Sequence, residues 1–237
     1  MTTATLIDGV LCWRSEIAVD ADGSPVAYHA DSKSGLDRLA NALHIVSEYE
    51  THVKLGQKPP HGWAGVATVG GDEFADPIVQ GETPPPIVLP GGVGYLPHRP
   101  HAPGFYVSTT SFTDKRFPVG DPCRYLDSTI VRYVTYTGRL LRMGASPGDL
   151  VVVAGPKLWC TAVLGDYGPD LGEGSIATCL ALGGPADPRH GGPAGTFAFA
   201  VFTGSSGPWP RGEDEIASQI AVRFAPWGGL ERLRKVG

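Results

Sequence analysis

Hydrophobic residues recur along this chain with two different periods, one typical of helices and one typical of strands. A helical spacing of apolar residues over residues 34–50, 175–182 and 213–224 predicts three helices. Gly183 is expected to end the second helix and Pro226 the third. Glycine readily adopts the conformation found just after a helix, and proline cannot continue one.

The strand pattern occupies the second half of the chain. Short runs of β-branched and aromatic residues are bounded there by Gly, Pro or Asp, which is typical of strands. The predicted strands are 105–111, 128–134, 149–154, 158–164 and 196–202. The sequence therefore predicts a mainly β fold with flanking helices, arranged as a small β-barrel with helices packed across it.

The composition agrees with a turn-rich β protein. The chain has 33 Gly and 22 Pro but only 18% charged residues, so turns interrupt it more often than a helical protein could tolerate. Its 42% hydrophobic content is enough to fill a core. Residues 56–104 are rich in Pro and Gly but also carry apolar side chains, which a polar linker would lack. We therefore expect a single domain over residues 1–237.

Charge and cysteine usage exclude several classes of partner. A formal net charge of −5 argues against nucleic acid and anionic membranes. No apolar run approaches the roughly 18 residues of a membrane span, and the start of the chain lacks a signal-peptide pattern. The four cysteines form no C-x-x-C pair, so no zinc site is indicated, and we expect buried free thiols instead of disulfides. We also expect no metal, no other cofactor and a monomer.

An acidic pair is the most informative chemical feature. Asp166 follows an apolar run, and Glu173 comes seven positions later in a Gly-rich stretch before a predicted helix. Two carboxyls facing one cleft could hydrolyse a glycosidic bond, because one must protonate the leaving oxygen while the other activates water or attacks the sugar. The alternative is that both are ordinary turn and cap residues, since Asp and Gly build turns.

The two acidic residues belong to a set of short segments whose order along the chain is similar to that of a known enzyme family. It includes Gly165-Asp-Tyr-Gly-Pro169 and Gly172-Glu-Gly-Ser175. The other segments are 22–28, 35–42, 79–81, 104–111, 121–128 and 148–153. In this order, from about residue 20 to residue 182, the chain resembles the family 75 glycoside hydrolases, whose characterised members are fungal chitosanases with bacterial relatives. Residues 183–237 would complete the domain with a C-terminal strand and helix.

The resemblance implies both a mechanism and a fold. It implies that Asp166 and Glu173 are the two catalytic carboxyls, that the reaction inverts the anomeric carbon, and that the barrel is of the double-psi type. The family is typically secreted, whereas this chain shows no signal peptide, so its location is left open.

The residues themselves favour one assignment of roles. Glu173 precedes the helix predicted to begin near Ser175, where the helix dipole favours an ionised carboxylate, so it is the candidate base. Asp166 follows an apolar run whose burial would favour the protonated form, so it is the candidate acid. The two roles could also be exchanged.

A polysaccharide cleft also needs hydrogen-bonding groups and flat apolar surfaces. The candidates lie in the segments that carry the resemblance. The predicted substrate-binding residues are Ser108, Thr109, Asp114, Asp121, Tyr125, Asp127 and Tyr167. The aspartates could pair with glucosamine amines, although Ser and Thr also favour strands and Asp often starts turns. Trp159 is expected in the core.

These observations predict an endo-acting glycoside hydrolase that cleaves a β-1,4-linked aminosugar polysaccharide such as chitosan. One alternative is a peptidoglycan-cleaving enzyme, of the muramidase or lytic transglycosylase type. Another is a carbohydrate-binding domain that has the same fold but no catalytic activity.

Overall fold

A computed structural model describes residues 2–29, 35–36, 44–45, 67–68, 87–88, 94–97, 105–118 and 122–236. The chain divides into two compact units. The first comprises Met1–Asp20, Thr110–Lys115 and Ser128–Gly237, and the second comprises Ala21–Thr109 and Arg116–Asp127. The single domain predicted over residues 1–237 stays a prediction.

Most regular structure in the described residues is β. In chain order the strands are β1 (Thr5–Ile7), β2 (Val10–Ser15), β3 (Ala18–Asp20), β4 (Tyr28–His29), β5 (His44–Ile45), β6 (Ala67–Thr68), β7 (Ile87–Val88), β8 (Gly94–Pro97), β9 (Phe105–Ser108), β10 (Tyr133–Tyr136), β11 (Leu150–Ala154), β12 (Trp159–Tyr167), β13 (Glu173–Ser175) and β14 (Phe197–Phe202). The α-helices are α1 (Gly138–Arg142), α2 (Ile176–Ala181), α3 (Glu213–Trp227) and α4 (Gly229–Arg234), and short 3₁₀ turns cover Pro122–Arg124 and Pro188–His190.

The first unit is built on a mixed eight-stranded sheet. Its strand order is β1-β2-β14-β11-β12-β10-β13-β3. Most neighbours are antiparallel, but β10 pairs with β12 and β13 pairs with β3 in parallel. The prediction of a mainly β fold is confirmed. Strands β1 and β3 form the edges of the sheet, and its described pairings do not close it into a barrel.

The central strands are apolar on both faces, which explains their continuous hydrophobic sequences. Every residue of β11 and of β14 is buried. One face belongs to a core in which Trp13 stacks on Phe199 with ring centroids 4.7 Å apart. On the other face Phe202 meets Phe224 and Trp227 of α3. A sheet covered on both faces is a rigid support for groups at its strand ends.

Two helices of the first unit, α2 and α3, agree with the sequence pattern except at one end, whereas α1 and α4 were not predicted. Helix α2 begins after its N-cap Ser175, and α3 begins at Glu213, both as predicted. Helix α3 does not stop before Pro226 but continues to Trp227, and Gly228 ends it in the left-handed conformation. The extension is stabilised because Trp227 packs on Phe202 and donates its indole N–H to the carbonyl of Ile7 at 3.1 Å.

The strand predictions were accurate at the centre of the sheet and poorer at its margins. The strand predicted over 128–134 begins only at Tyr133, because residues 128–131 form turns. The strand over 105–111 ends at Ser108. The short strands β1, β2, β3 and β13 were not predicted.

The second unit contains two small sheets. One has the order β4-β9-β8-β7, and the other pairs β5 with β6 in parallel. The helix predicted over residues 34–50 is wrong at His44 and Ile45, which form β5 by pairing with Ala67 and Thr68. Residues 98–101, which contain two histidines, lie outside the described residues.

The four cysteines are free thiols. Cys12, Cys160 and Cys179 are buried, whereas Cys123 is exposed. Burial raises the pKa of each of the three buried thiols to about 12. Separately, no helix in the described part of the chain is both long and apolar enough to cross a membrane.

We expect one thiol per folded chain to react with a disulfide reagent at pH 8. A raised pKa keeps the three buried sulfurs protonated, and only the thiolate is nucleophilic. Titration with Ellman's reagent should therefore count one fast thiol in buffer and four in guanidinium chloride. Cys123→Ser should abolish the fast phase. Two or more fast thiols in the folded protein would contradict the assignment.

Candidate active site

A bulge in β12 sets the position of Asp166. Val134 of β10 pairs with Leu164, but the next residue, Thr135, pairs with Asp166, so Gly165 has no partner on β10. Such an extra residue shifts every later side chain of its strand by one position relative to the neighbouring strand. The bulge therefore brings Asp166, instead of glycine, beside Thr135.

Asp166 is buried and anchored through one carboxylate oxygen. Its side chain is 5% exposed. Oδ1 accepts hydrogen bonds from the Ser111 backbone N–H at 2.8 Å, from the Ser111 hydroxyl at 2.7 Å and from the Tyr167 backbone N–H at 2.6 Å. Three donors fill the acceptor positions of Oδ1, so a proton on this carboxyl would reside on Oδ2.

The segment 110–115 holds this anchor in place. The Phe112 N–H donates to the carbonyl of Gly165, the bulged residue, at 2.9 Å. The Thr110 hydroxyl donates to the Phe112 carbonyl at 2.9 Å, and the Tyr167 N–H also reaches the Ser111 hydroxyl at 3.0 Å. Sequence reasoning placed Ser111 in a polar strip that could line a cleft, but it did not predict the contact with Asp166, which no local sequence pattern indicates.

Glu173 lies on the other side of β10. Strand β13 pairs with β10 in antiparallel fashion with Val134 opposite Gly174, which places Glu173 opposite Thr135. Asp166, Thr135 and Glu173 therefore form one row across β12, β10 and β13. Neighbouring strands are about 4.8 Å apart, so the two outer backbones of this row are separated by about 9.5 Å.

The chain after Glu173 is fixed by Ser175. The Ser175 hydroxyl accepts from the Thr178 N–H at 3.1 Å as the N-cap of α2, and from the Tyr133 N–H of β10 at 3.1 Å. One side chain thus ties the start of α2 to the strand beside it. Because Glu173 precedes Ser175 by only two residues, its backbone is fixed by the same contacts.

Gly168 provides the space beside the Glu173 carboxylate. A Cβ on this residue would lie 2.6 Å from Oε2 of Glu173 and 3.0 Å from Oγ1 of Thr135. Both distances are too short for an ordinary side chain, so the absence of a Cβ lets these two oxygens approach the Gly168 backbone. The Gly168 N–H donates to the Tyr136 carbonyl at 3.0 Å, which fixes that backbone against β10.

Two tyrosines stand next to Asp166. The rings of Tyr136 and Tyr167 meet edge to face, with centroids 5.9 Å apart and planes at 84°. Tyr136 is buried, and burial raises the pKa of its hydroxyl, an effect that its hydrogen bond with Ser111 opposes. Tyr167, which directly follows Asp166 in the sequence, is 57% exposed.

Asp20 is a further acidic residue that sequence reasoning missed. It ends β3, and its carboxylate oxygen lies within 4.8 Å of that of Asp166. Two carboxylates this close repel each other, which favours a proton on one of them. The pair alone supplies fewer oxygen ligands than a Ca²⁺ or Mg²⁺ ion takes. Asp20 lies 146 residues before Asp166 in the sequence, so only the folded structure shows that it belongs near this carboxyl.

An open groove of about 790 Å³ runs past the outer side of this row. Its lining includes Glu16, Ala18, Leu171 and Gly172. Gly172 directly precedes Glu173, and Ala18 is the residue paired with Glu173 on β3. The groove therefore borders the backbone that carries this glutamate.

The other predicted binding residues are distributed between the two units. In the first unit Asp114 is buried. In the second, Tyr125 and Asp127 are buried, Thr109 is half-buried and Ser108 ends β9. Asp121 lies outside the described residues. Their roles in substrate binding stay predictions.

The prediction that Trp159 lies in the core is wrong. Its side chain is 46% exposed. Trp159 begins β12 at the end away from Asp166, and its ring packs against Phe224 of α3 at 6.5 Å. The helix covers one side of the indole and leaves the rest open to solvent.

Comparison with known proteins adds no assignment, because neither a family model nor a curated protein matches the chain.

We expect Ser111→Ala to lower the free energy of unfolding by about 1 to 2 kcal/mol, because it removes one hydrogen-bond partner from a buried polar group. The variant loses the hydroxyl that donates to Asp166 and accepts from Tyr167. Urea unfolding followed by circular dichroism measures the change. The control is Ser218→Ala on the exposed face of α3, where the hydroxyl donates to the Asp214 carbonyl and removal should cost at most about 0.5 kcal/mol. Equal effects of the two substitutions would contradict the anchoring role of Ser111.

Proposed function

We propose that this protein is an endo-acting glycoside hydrolase that cleaves a β-1,4-linked aminosugar polysaccharide with inversion, using Asp166 and Glu173 as its acid and base. One observation carries the proposal. The two carboxyl residues stand in one row of the sheet and are separated by a single strand. Their similarity to the carboxyl motifs of the family 75 glycoside hydrolases adds support.

The spacing of the row favours a water molecule between the carboxyls. Inverting glycosidases hold their two carboxyl groups about 6.5–9.5 Å apart, whereas retaining enzymes hold them about 5–5.5 Å apart. Residues paired across strands direct their side chains to the same face of the sheet. The backbones of Asp166 and Glu173 lie two strand spacings apart, which supports the wider class for the carboxyl groups that they carry.

The environments of the two carboxyls favour different roles. Asp166 is buried, lies close to Asp20 and has its Oδ1 occupied by three donors. Repulsion from the nearby Asp20 favours a proton on this carboxyl, so we assign Asp166 as the general acid. Glu173 is half-buried beside an open groove, where water can reach it. We assign Glu173 as the general base.

A polymer needs an open path and a surface for its sugar rings. The groove opens to solvent, and its lining includes Gly172, which precedes Glu173 in the chain, and Ala18, which pairs with Glu173. Exposed Tyr167 offers an aromatic face on which the apolar face of a sugar can rest, immediately after the acid in the sequence. Both features support a substrate that extends beyond the bond that is cleaved.

We further propose that the eight-stranded sheet belongs to a small barrel of the double-psi type. Parallel pairs within a largely antiparallel sheet support this view, because barrels with crossed connections require both kinds of neighbour. The family resemblance points to the same fold. A crystal structure in which backbone hydrogen bonds connect the two edges of the sheet would establish the barrel.

We expect Asp166→Asn and Glu173→Gln each to lower the turnover of polysaccharide by about 10²- to 10⁴-fold, the usual contribution of a general acid or base. Each substitution preserves shape and removes a titratable proton. The matched control is Asp170→Asn, an exposed aspartate of the same loop, which should keep wild-type turnover. Release of reducing ends from chitosan, chitin and peptidoglycan is the measurement.

The products separate the alternatives. Hydrolysis gives new reducing ends, whereas a lytic transglycosylase gives anhydro sugars, which mass spectrometry distinguishes by the mass of one water. Binding without products would indicate a carbohydrate-binding domain. If either carboxyl variant keeps more than half of the wild-type turnover, that residue has no place in the mechanism.

We expect the α-anomer to form first from a β-linked substrate. A carboxyl pair about 9.5 Å apart at the backbone leaves room for water to attack from the face opposite the leaving group. A proton NMR time course on a defined glucosamine oligomer follows the anomeric signals before mutarotation equilibrates them. First appearance of the β-anomer would instead indicate a covalent intermediate on one of the two carboxylates.

A further inference from the structure

We propose that Phe112 is a positioning residue for Asp166, the candidate acid. Its ring is seated against Gly148 and Trp209. This contact holds Ser111, the preceding residue, on the Asp166 carboxylate. The inference rests on the proposed hydrolase function and extends its mechanism to a side chain that acts only through others. All five residues belong to the first unit.

Ser111 needs support from its neighbour. It supplies two of the three donors to Oδ1 of Asp166, its backbone N–H and its hydroxyl. Ser111 itself is exposed, and its side chain is short and polar, so apolar burial hardly fixes its position. The packing that keeps these donors on the carboxylate must come from an adjacent residue.

The main chain of Phe112 connects this serine with the bulge. The Phe112 N–H donates to the carbonyl of Gly165, the residue before Asp166, at 2.9 Å. The Phe112 carbonyl accepts from the Thr110 hydroxyl at 2.9 Å. A movement of Phe112 would therefore displace both the bulge and the donors that Ser111 directs at the carboxylate.

The ring of Phe112 has a close-fitting seat. It lies so near the backbone of Gly148 that a Cβ there would be 2.6 Å from Cζ and 2.8 Å from Cε2 of the ring. It also meets the indole of Trp209 edge to face, with centroids 5.7 Å apart and planes at 72°. Aromatic pairs in this arrangement are stabilised beyond the area that they bury. The seat therefore fixes the half-buried ring in one place.

The seat is joined to the strand that carries the acid. The Gly148 N–H donates to the carbonyl of Leu164 at 2.7 Å, and the Leu164 N–H donates to the carbonyl of Asp149 at 2.9 Å. Leu164 stands two residues before Asp166 on β12. The distance between the seat and the bulge is thus set by main-chain hydrogen bonds.

Two buried charged residues hold the two sides of the seat together. Asp149 is 0% exposed, and its Oδ1 accepts from the N–H groups of Ser205 and Ser206 at 2.8 Å each. Arg211 is also buried and donates to the carbonyls of Gly148 and Ser205. Both side chains bond the turn before β11 to the loop after β14. The seat should therefore keep its shape when the ring is removed.

The test is Phe112→Ala, which removes the ring and retains Ser111 and Asp166. A carboxylate whose donors loosen favours its protonated form. Because a general acid must be protonated to act, the alkaline limb of the kcat/KM profile on chitosan should move to higher pH. The expected shift is about one pH unit, roughly the contribution of one hydrogen bond to a charged group. We expect kcat to fall about 10- to 10²-fold while KM changes little.

Trp209→Leu removes the other side of the contact. Trp209 is half-buried, so the fold should tolerate this substitution. The alkaline limb should move in the same direction by a smaller amount. Phe112→Leu, which refills most of the seat, should return the profile toward that of the wild type.

Phe224→Ala is the matched control for the loss of a packed ring. Phe224 is 7% exposed and packs against Phe202 and Trp227 on the helix side of the sheet. Its removal should lower the melting temperature at least as much as Phe112→Ala and leave the pH profile unchanged. If Phe112→Ala and Trp209→Leu both keep the wild-type profile, or Phe224→Ala moves it equally, the inference is wrong.

A measurement without substrate separates this inference from the proposed function. Carbon NMR follows the titration of the Asp166 carboxyl, whose signal is assigned by its loss in Asp166→Asn. The midpoint should be higher in Phe112→Ala than in the wild type and unchanged in Phe224→Ala. If the wild type cleaves none of the polymers but the midpoint rises, the hydrolase proposal fails and the positioning role stands. An unmoved midpoint overturns the inference, whatever the activity.

Discussion

The candidate site depends on one irregularity, the bulge at Gly165. Without the extra residue, β12 would bring Gly165 beside Thr135 and direct Asp166 away from this row. The bulge is stabilised from outside the sheet, because the Gly165 carbonyl accepts from Phe112 and Asp166 accepts from Ser111. The position of the carboxyl is therefore a product of two segments that are 55 residues apart in the chain.

The rest of the first unit makes this irregularity tolerable. Strand β11 is buried on both faces, holds β12 in register over five consecutive pairs and is itself paired with the buried strand β14 on its other side. A bulge at the end of such a strand distorts only the last residues, because the packed centre resists displacement. The packed centre of β12 therefore stays in place while the bulge at its end positions the Asp166 carboxyl beside Thr135 of the neighbouring strand.

Sequence reasoning found the elements whose own residues form a strong pattern, and it missed the elements that exist only because they pair with other strands. The strands over 149–154 and 196–202 carry long apolar runs, and the sequence of α2 contains its own cap and its stop. The three-residue strand β13 has no such pattern and exists because it pairs with β10 and β3. His44 and Ile45 had a helical pattern but form a parallel pair, since tertiary contacts override local propensity. Asp166 and Glu173 could be named as candidates from the sequence, whereas their common row, the contact of Ser111 with Asp166 and the proximity of Asp20 required the folded structure.

The row of Asp166, Thr135 and Glu173 also contains residues that stabilise the folded state less than other residues would at the same positions. Valine would suit the buried strand position of Thr135 better than threonine, because it brings no polar atom that needs a partner. Gly168 likewise contributes no side-chain packing, and its missing Cβ lets the Glu173 carboxylate and the Thr135 hydroxyl approach its backbone. Local choices that oppose stability are expected where the chemistry of a site requires them. Two such choices stand at neighbouring positions of this row, and the packing of the sheet alone does not call for either of them.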